Sequence, residues 1–278
     1  MNKWHEYLHL MRFNKPIGIF LLWWPTAWAL WIANEGMPNL VTLLYFVLGT
    51  VIMRAAGCVI NDIADRNFDD KVARTVTRPL ATKKVSLYEA FLLLIGLLSA
   101  ALVILVQLPP ACFDFALIAL FIIFVYPFCK RFFPAPQFVL GLAFSMGIPM
   151  AYIASHQSLN AIMALLVLIN SAWIIAYDTQ YAMVDREDDV RIGVKSTAIL
   201  FAHLDVLIIT LLQCFSHALW LLLALLIPVS LKFYICWVFG GFLLYYQYGL
   251  IKDRKPASCF KAFMNNNWYG LIMWLGLM

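Results

Sequence analysis

Apolar positions along this chain come in long runs separated by short polar gaps. Runs of about 20 residues, the length that crosses a bilayer, recur near 16–33, 41–62, 87–107, 111–129, 137–155, 159–179, 198–226, 229–250 and 263–278. None of them alternates with period 2, as the strands of an outer-membrane barrel do. The pattern predicts an all-α fold, a multi-pass transmembrane bundle of about nine helices. With no linker or soluble insertion long enough to fold alone, residues 1–278 read as one domain. The gaps are of two kinds. "NEGMPN", "QLPPA" and "SHQSLN" are short and poor in charge, whereas 62–86 and 180–197 are long and charged.

Charge orients these predicted spans. With the N-terminus on the cytoplasmic side, Lys232 is the one basic residue of 20 that falls outside; all other Lys and Arg stay inside. The net charge of +5 then reflects membrane orientation and needs no nucleic-acid partner. The first stretch, "MNKWHEYLHLMRFNKPIG", is basic and amphipathic and reads as a surface helix leading into the first span, with no cleavage site after it. Six cysteines are dispersed without a CxxC pair or a histidine at metal spacing, so they read as small apolar residues.

Candidate chemistry gathers in the long cytoplasmic gaps. After the second span comes "VINDIADRNFDD", with Asp62, Asp65, Asp69 and Asp70. A shift of 116 positions lays Asn61, Asp62, Asp65 and Asp69 over Tyr177, Asp178, Tyr181 and Asp185, and the second copy runs on to Asp189. Helical spacing would put Asp62, Asp65 and Asp69 on one face, and Tyr181, Asp185 and Asp189 on another. Carboxylates so arranged repel one another and are costly beside lipid, so a cation must sit between them. Hard oxygen donors favour Mg²⁺ or Ca²⁺ over zinc or copper, and Mg²⁺ takes one or two carboxylates together with substrate phosphate oxygens. Two facing clusters suit a diphosphate bridged by Mg²⁺. Arg66, Lys71, Arg74, Arg78 and Lys84, with Arg186, Arg191 and Lys195, could neutralise the remaining phosphate charge; read blandly, they are a positive-inside signal. Arg54 lies inside the second span, on the face of Asn61 and Asp65. At that depth it must face the bundle interior, either binding an anionic second substrate or pairing with an aspartate. Aromatic residues, 15% of the chain, could line a pocket that stabilises a carbocation or form interfacial belts.

These residues resemble the UbiA superfamily of intramembrane aromatic prenyltransferases. The shared motifs are Asn-Asp-x-x-Asp-x-x-x-Asp after the second helix, here Asn61, Asp62, Asp65 and Asp69, and Asp-x-x-x-Asp after the sixth, here Asp185 and Asp189. The likeness also covers "MRFNKPIG", "TRPLA", "YPFCKRF" and "AYDTQYAMVDREDDVRIGVKSTAILF". The last of these, with "CFKAFMNNNW", is similar to the superfamily branch that prenylates 4-hydroxybenzoate in ubiquinone synthesis. The resemblance implies a bacterial inner-membrane enzyme. Its helices would surround a central, lipid-open cavity, capped on the cytoplasmic side by the loops after helices 2 and 6. Asn61, Asp62, Asp65 and Asp69 would hold one Mg²⁺ end of a polyprenyl diphosphate, and Asp185 and Asp189 the other. Tyr126, Lys130 and Arg131 would lie near the site, which would also include Arg54, Arg66, Tyr181 and Lys195. For the carboxylate of 4-hydroxybenzoate, Arg54, Arg131, Lys15 and Arg12 all stand as partners. Two other readings compete: a different aromatic acceptor (naphthoate, homogentisate, chlorophyllide or haem) and a divalent-cation transporter built on the half-repeat.

Overall fold

The computed structural model describes residues 3–69 and 74–278. Asp70 and Lys71 of the first charged stretch lie outside the described residues. All regular structure among these residues is helical: α1 (Lys3–Leu10), α2 (Ile17–Ala33), α3 (Leu40–Asp65), α4 (Leu87–Leu105), α5 (Cys112–Phe132), α6 (Pro136–Ser145), α7 (Gly147–Ala154), α8 (Ala161–Ile192), α9 (Thr197–Phe201), α10 (Asp205–Ala224), α11 (Leu231–Ile251) and α12 (Pro256–Leu277). Seven helical stretches among the described residues are long and apolar enough to cross a membrane, α6 with α7 and α9 with α10 each counting as one. Alongside them run α2, apolar but 17 residues long, and α12, which carries Asn265, Asn266 and Asn267 in its middle.

Local chemistry sets the helix ends. Asn39 accepts from the Val41 amide at the start of α3, and Asn160 from the Met163 amide at the start of α8. Ser86 and Glu89 form a reciprocal capping box on α4. The helices close into a ring: α2 packs on α3, α3 on α5, α5 on α6, α6 on α8, α8 on α10, α10 on α11, α11 on α12, and α12 on α2. α4 stands outside this ring and packs chiefly on α3. The ring interior between α2, α8, α10 and α12 is filled by indoles. Trp28, fully buried, has its ring 5.2 Å from that of Trp173 and 5.0 Å from that of Trp220. Gly270 on α12 leaves no room for a side chain, because the Trp24 ring lies directly on it.

A buried amide network ties α8, α10, α11 and α12. Asn266 donates to Gln180 (2.9 Å) and accepts from Trp173 (2.9 Å); Gln180 and Gln213 both donate to Gln247, which donates to Asn265 (3.0 Å). Each bond replaces water that the bundle excludes, so helix packing and amide satisfaction are one requirement here.

Several sequence expectations change. α8 continues through the expected 180–197 loop to Ile192, because nothing in "DREDDVRI" breaks a helix until Gly193, which closes it in the left-handed region at φ 74°. α3 stops at Asp65, so Asp69 does not share its face; the Phe68 amide turns back onto the Asp65 carbonyl (2.8 Å). Continued helix would stack three like charges, and the turn avoids that. The fifth run bends at Met146 into α6 and α7, with Gly147 pressed against Thr26, and the last helix begins at Pro256.

Candidate active site

At one end of the bundle the acids of the first motif are met by two arginines, Arg12 and Arg78, and by Lys130. Asp62, 1% exposed, accepts from Arg12 (2.7 and 3.0 Å) and lies 3.1 Å from Arg78. Arg78 also donates to both oxygens of Asp69 (2.8 and 2.9 Å), and the Thr75 hydroxyl donates to the Asp69 carbonyl (2.7 Å). Arg12 follows the surface helix α1, which is fastened in turn by Lys3 and Tyr7 to Glu89 (2.8 and 2.9 Å). Burial pushes the Asp69 carboxyl up to about 6, against the pull of Arg78.

The second motif lies on α8. Arg74 grips Asp185 through its Nε (2.9 Å to Oδ1) and Nη2, bonds the Tyr181 hydroxyl through Nη1, and lies 4.3 Å over the Tyr181 ring. Lys130, at the end of α5, sits 3.6 Å from Asp65 and acts electrostatically on both Asp178 and Asp189. Its carbonyl accepts the Lys195 amide (2.7 Å), which locks the segment after α8 to α5. Lys130 is thus a cation shared by Asp65 of the first motif and Asp189 of the second, while Arg74 holds the second motif on α8. Farther along, Asp205, fully buried, holds both Arg186 and Arg254, pinning the end of α8 to α10.

Beneath these acids opens a cavity of about 570 Å³ between α2, α3, α4, α5 and α6–α7. Its walls are aliphatic and aromatic, and its few polar groups include Arg54, Asn61 and Tyr126. Because α4 packs chiefly on α3, the α4 and α5 walls are not sealed to each other by close packing. Arg54 forms no ion pair among the described residues, and its guanidinium lies against Gly18, where a methyl group would collide with it. Glycine in "KPIG" therefore makes space for a charge. Asn61 Oδ1 and the Tyr177 hydroxyl, equivalent positions of the half-repeat, are both buried without a hydrogen-bond partner. Arg54 acts electrostatically on Tyr126, Tyr177 and Asp178, so the polar end of the cavity holds a guanidinium without an ion pair among the described residues, near the orphaned Tyr177 hydroxyl.

The structure brings together Arg54, Asn61, Asp62, Asp65, Asp69, Tyr126, Lys130, Tyr181, Asp185 and Asp189 around this end. Three predicted residues go elsewhere. Lys195 is exposed, and Arg66 and Arg131 line a separate cleft on the outer side of α3. Sequence reading gave Asp178 no role, although it is the half-repeat equivalent of Asp62; it is hydrogen-bonded to Gln137, whose Oε1 accepts the Thr197 amide. Arg12 turns from a possible substrate partner into the buried partner of Asp62, and Lys15 stands beside Arg74, Arg12 and Arg78.

The donor set suits a hard cation: all oxygen, with an orphaned Asn61 Oδ1 among carboxylates. Among the described residues no three acidic, histidine or cysteine side chains form a ready-made metal cage.

Comparison with known proteins agrees. A sequence profile of the UbiA prenyltransferase family matches residues 22–271. A 4-hydroxybenzoate octaprenyltransferase of Legionella pneumophila (strain Lens) is 59% identical over 277 residues, covering 100% of this chain and 98% of the relative. One from Serratia proteamaculans (strain 568) is 48% identical over 276 residues, covering 99% and 95%. Among solved structures, the apo form of a UbiA homolog from Aeropyrum pernix K1 superposes with TM-score 0.80 at 21% identity, over 92% of this chain and 94% of that one. A UbiA homolog from Archaeoglobus fulgidus bound to GPP and Mg²⁺ gives 0.74 at 19% identity, over 96% and 99%.

Proposed function

The chain belongs to the UbiA prenyltransferase family, and on that premise we propose that it transfers a polyprenyl group from a polyprenyl diphosphate to the ring carbon of 4-hydroxybenzoate ortho to the hydroxyl. Diphosphate is released, and the proton that the new C–C bond displaces from the ring carbon passes to that diphosphate or to an aspartate of the site. The observation that carries this reading is the union of two acid groups with an apolar cavity whose polar end holds a guanidinium without an ion pair among the described residues.

In this reading nine helical stretches cross a bacterial inner membrane, with the N-terminus and both acid groups on the cytoplasmic side, as the distribution of Lys and Arg requires. Asn61, Asp62, Asp65 and Asp69 would hold one Mg²⁺, and Asp185 and Asp189 another. When bound, Mg²⁺ draws negative charge onto the leaving diphosphate and so weakens its allylic C–O bond. The arginines change partners. Arg74 and Arg78, which rest on Asp185 and Asp69, are free to turn to phosphate oxygens once the carboxylates are taken up, and Lys130 stands ready to do the same. The prenyl chain lies along the apolar wall, and a chain longer than the cavity leaves between α4 and α5.

Arg54 takes the carboxylate of the aromatic acid. It is the cation on the cavity wall without a carboxylate partner among the described residues, whereas Arg12 is committed to Asp62 and Arg131 lines a different cleft. Held there, the acid presents its electron-rich ring to the allylic carbon, and the apolar wall keeps out water that would capture the cation. Tyr126, on the cavity wall, would face the developing charge with its ring or hydroxyl.

The test uses membranes containing the protein, labelled 4-hydroxybenzoate, a long-chain prenyl diphosphate, and Mg²⁺ with or without chelator. Label should enter the lipid phase only with Mg²⁺, and Asp65→Ala or Asp185→Ala should abolish transfer while leaving the protein folded in the membrane. Full activity of either variant would refute the two-group metal site. If another aromatic acid accepts the chain and 4-hydroxybenzoate does not, the acceptor assignment fails while prenyl transfer stands.

A further inference from the structure

A second cavity, about 290 Å³, lies on the outer side of α3, in the cleft shared with the adjoining ends of α4 and α5. Arg66, Asn67 and Arg131 form its polar edge, and Phe91, Phe124 and Phe128 are part of its wall. Each arginine gives one N–H to a carbonyl in the last turn of α3: Arg66 to Ile63 at 2.8 Å, Arg131 to Ala64 at 2.9 Å. Most of the five donors on each guanidinium remain unused, and neither arginine forms an ion pair among the described residues. The Arg131 guanidinium is also held 4.9 Å over the Phe128 ring, which fixes its direction without neutralising its charge. No Asp or Glu is among the described residues lining the cleft.

Two like charges held on one helix end call for an anion. The three phenylalanines say what else the anion carries. Phe91, Phe124 and Phe128 are 46%, 40% and 45% exposed on helices apolar enough to cross a membrane, so they border hydrocarbon. A ligand meeting both demands has a negative head at the membrane rim and an apolar tail below it.

We infer that this cleft binds an anionic phospholipid, its phosphate on Arg66 and Arg131 and an acyl chain along Phe91, Phe124 and Phe128. Basic pockets at the cytoplasmic ends of transmembrane helices recognise such headgroups. A phospholipid fits better than the diphosphate substrate. Among the described residues the cleft offers no carboxylate to hold the Mg²⁺ that a diphosphate needs for neutrality, whereas two guanidiniums suffice for phosphodiester charge. The position also has a consequence. Both arginines hold the last turn of α3, which carries Asp62 and Asp65, so a bound headgroup steadies the helix end that presents the first acid group. The inference takes from the proposed function only the placement of these helices in lipid; it does not depend on the aromatic acceptor.

The test is to reconstitute the full chain in phosphatidylcholine nanodiscs with and without cardiolipin, release it gently, and count retained lipids by native mass spectrometry. The unaltered protein should keep cardiolipin in preference to phosphatidylcholine. Arg66→Gln with Arg131→Gln should lower that retention several-fold, and the double Lys variant should keep part of it. A folded Gln variant that retains cardiolipin like the parent overturns the assignment. If the double variant does not fold, Arg66→Gln alone gives the same readout, since Arg66 is exposed and makes one bond within α3. Displacement of the retained lipid by equimolar polyprenyl diphosphate would also overturn it, assigning the cleft to the substrate. Failure of the transferase assay would leave these lipid counts unchanged, so the two readings fail separately.

Discussion

Gly18→Ala tests the role of Arg54 without removing a charge from the protein. An added methyl group at Gly18 would overlap Nε and Nη2 of Arg54 and stand 2.6 Å from Cζ. The guanidinium must therefore move by the order of an ångström. In folding terms the change is nearly neutral. Alanine in a helix gains up to about 1 kcal/mol over glycine, while forcing a side chain off its rotamer costs about 0.5–1.5 kcal/mol. For binding it is not neutral. A hydrogen bond to a charged group contributes about 1.5–3 kcal/mol, which converts to roughly 10- to 150-fold in affinity. The assay measures initial transfer rates in membranes, varying 4-hydroxybenzoate at saturating prenyl diphosphate and then the reverse. KM for the acid should rise by that factor and the diphosphate KM should stay put. Unchanged dependence on the acid, in protein of parental stability, would refute the assignment of Arg54 to its carboxylate; a rise confined to the diphosphate KM would move Arg54 to phosphate binding.

Two further outcomes follow from the buried polar groups. Asp69 titrates at about 6 because burial raises it. Below that pH its carboxyl is protonated and cannot ligate, so the Mg²⁺ concentration giving half-maximal rate should climb about tenfold per unit as pH falls below 6 and level off above it; a requirement independent of pH from 5 to 7 would exclude Asp69 as a ligand. The sign is opposite for metal-free stability: the raised value favours the folded state at low pH, and that contribution is lost as pH rises through about 6. Asn266→Leu leaves the Trp173 indole N–H and the Gln180 amide oxygen without their partners. At about 1–3 kcal/mol for each abandoned group, thermal unfolding in detergent should fall by several degrees, with activity per folded molecule retained; an unchanged melting curve would mean that the network contributes nothing net.

Much of this protein follows from its sequence alone, because apolar length is a one-dimensional quantity. Every long run became helical, two of them in two pieces, since a chain in lipid has to satisfy its backbone groups internally. The acid motifs were legible for a similar reason. Their spacing and their repetition at a 116-residue shift are local facts, and carboxylates beside lipid demand a cation wherever the chain takes them. The same motifs misled on local shape: "DREDDVRI" is polar enough to read as loop yet continues α8, whereas Asp69 has helical spacing and lies past the helix end.

Which charges meet was decided only in three dimensions. Nine arginines and lysines crowd the two acid segments in sequence, and nothing in the spacing of basic residues says that Arg74 crosses to Asp185, that Arg12 comes from the surface helix to Asp62, or that Arg66 and Arg131 face away from the cavity. Ion pairs form between segments 50 to 111 residues apart, and their choice depends on how the helices pack around the indole core. Gly18 makes the same point: a small residue in the first turn of α2 has no meaning by itself, and acquires one when α3 lays a guanidinium against it. "FMNNNW" is the clearest case. As sequence it pointed to an acceptor; as structure its asparagines join α12 to α2, α8 and α11, because a bundle that excludes water has to supply every buried amide with a partner of its own.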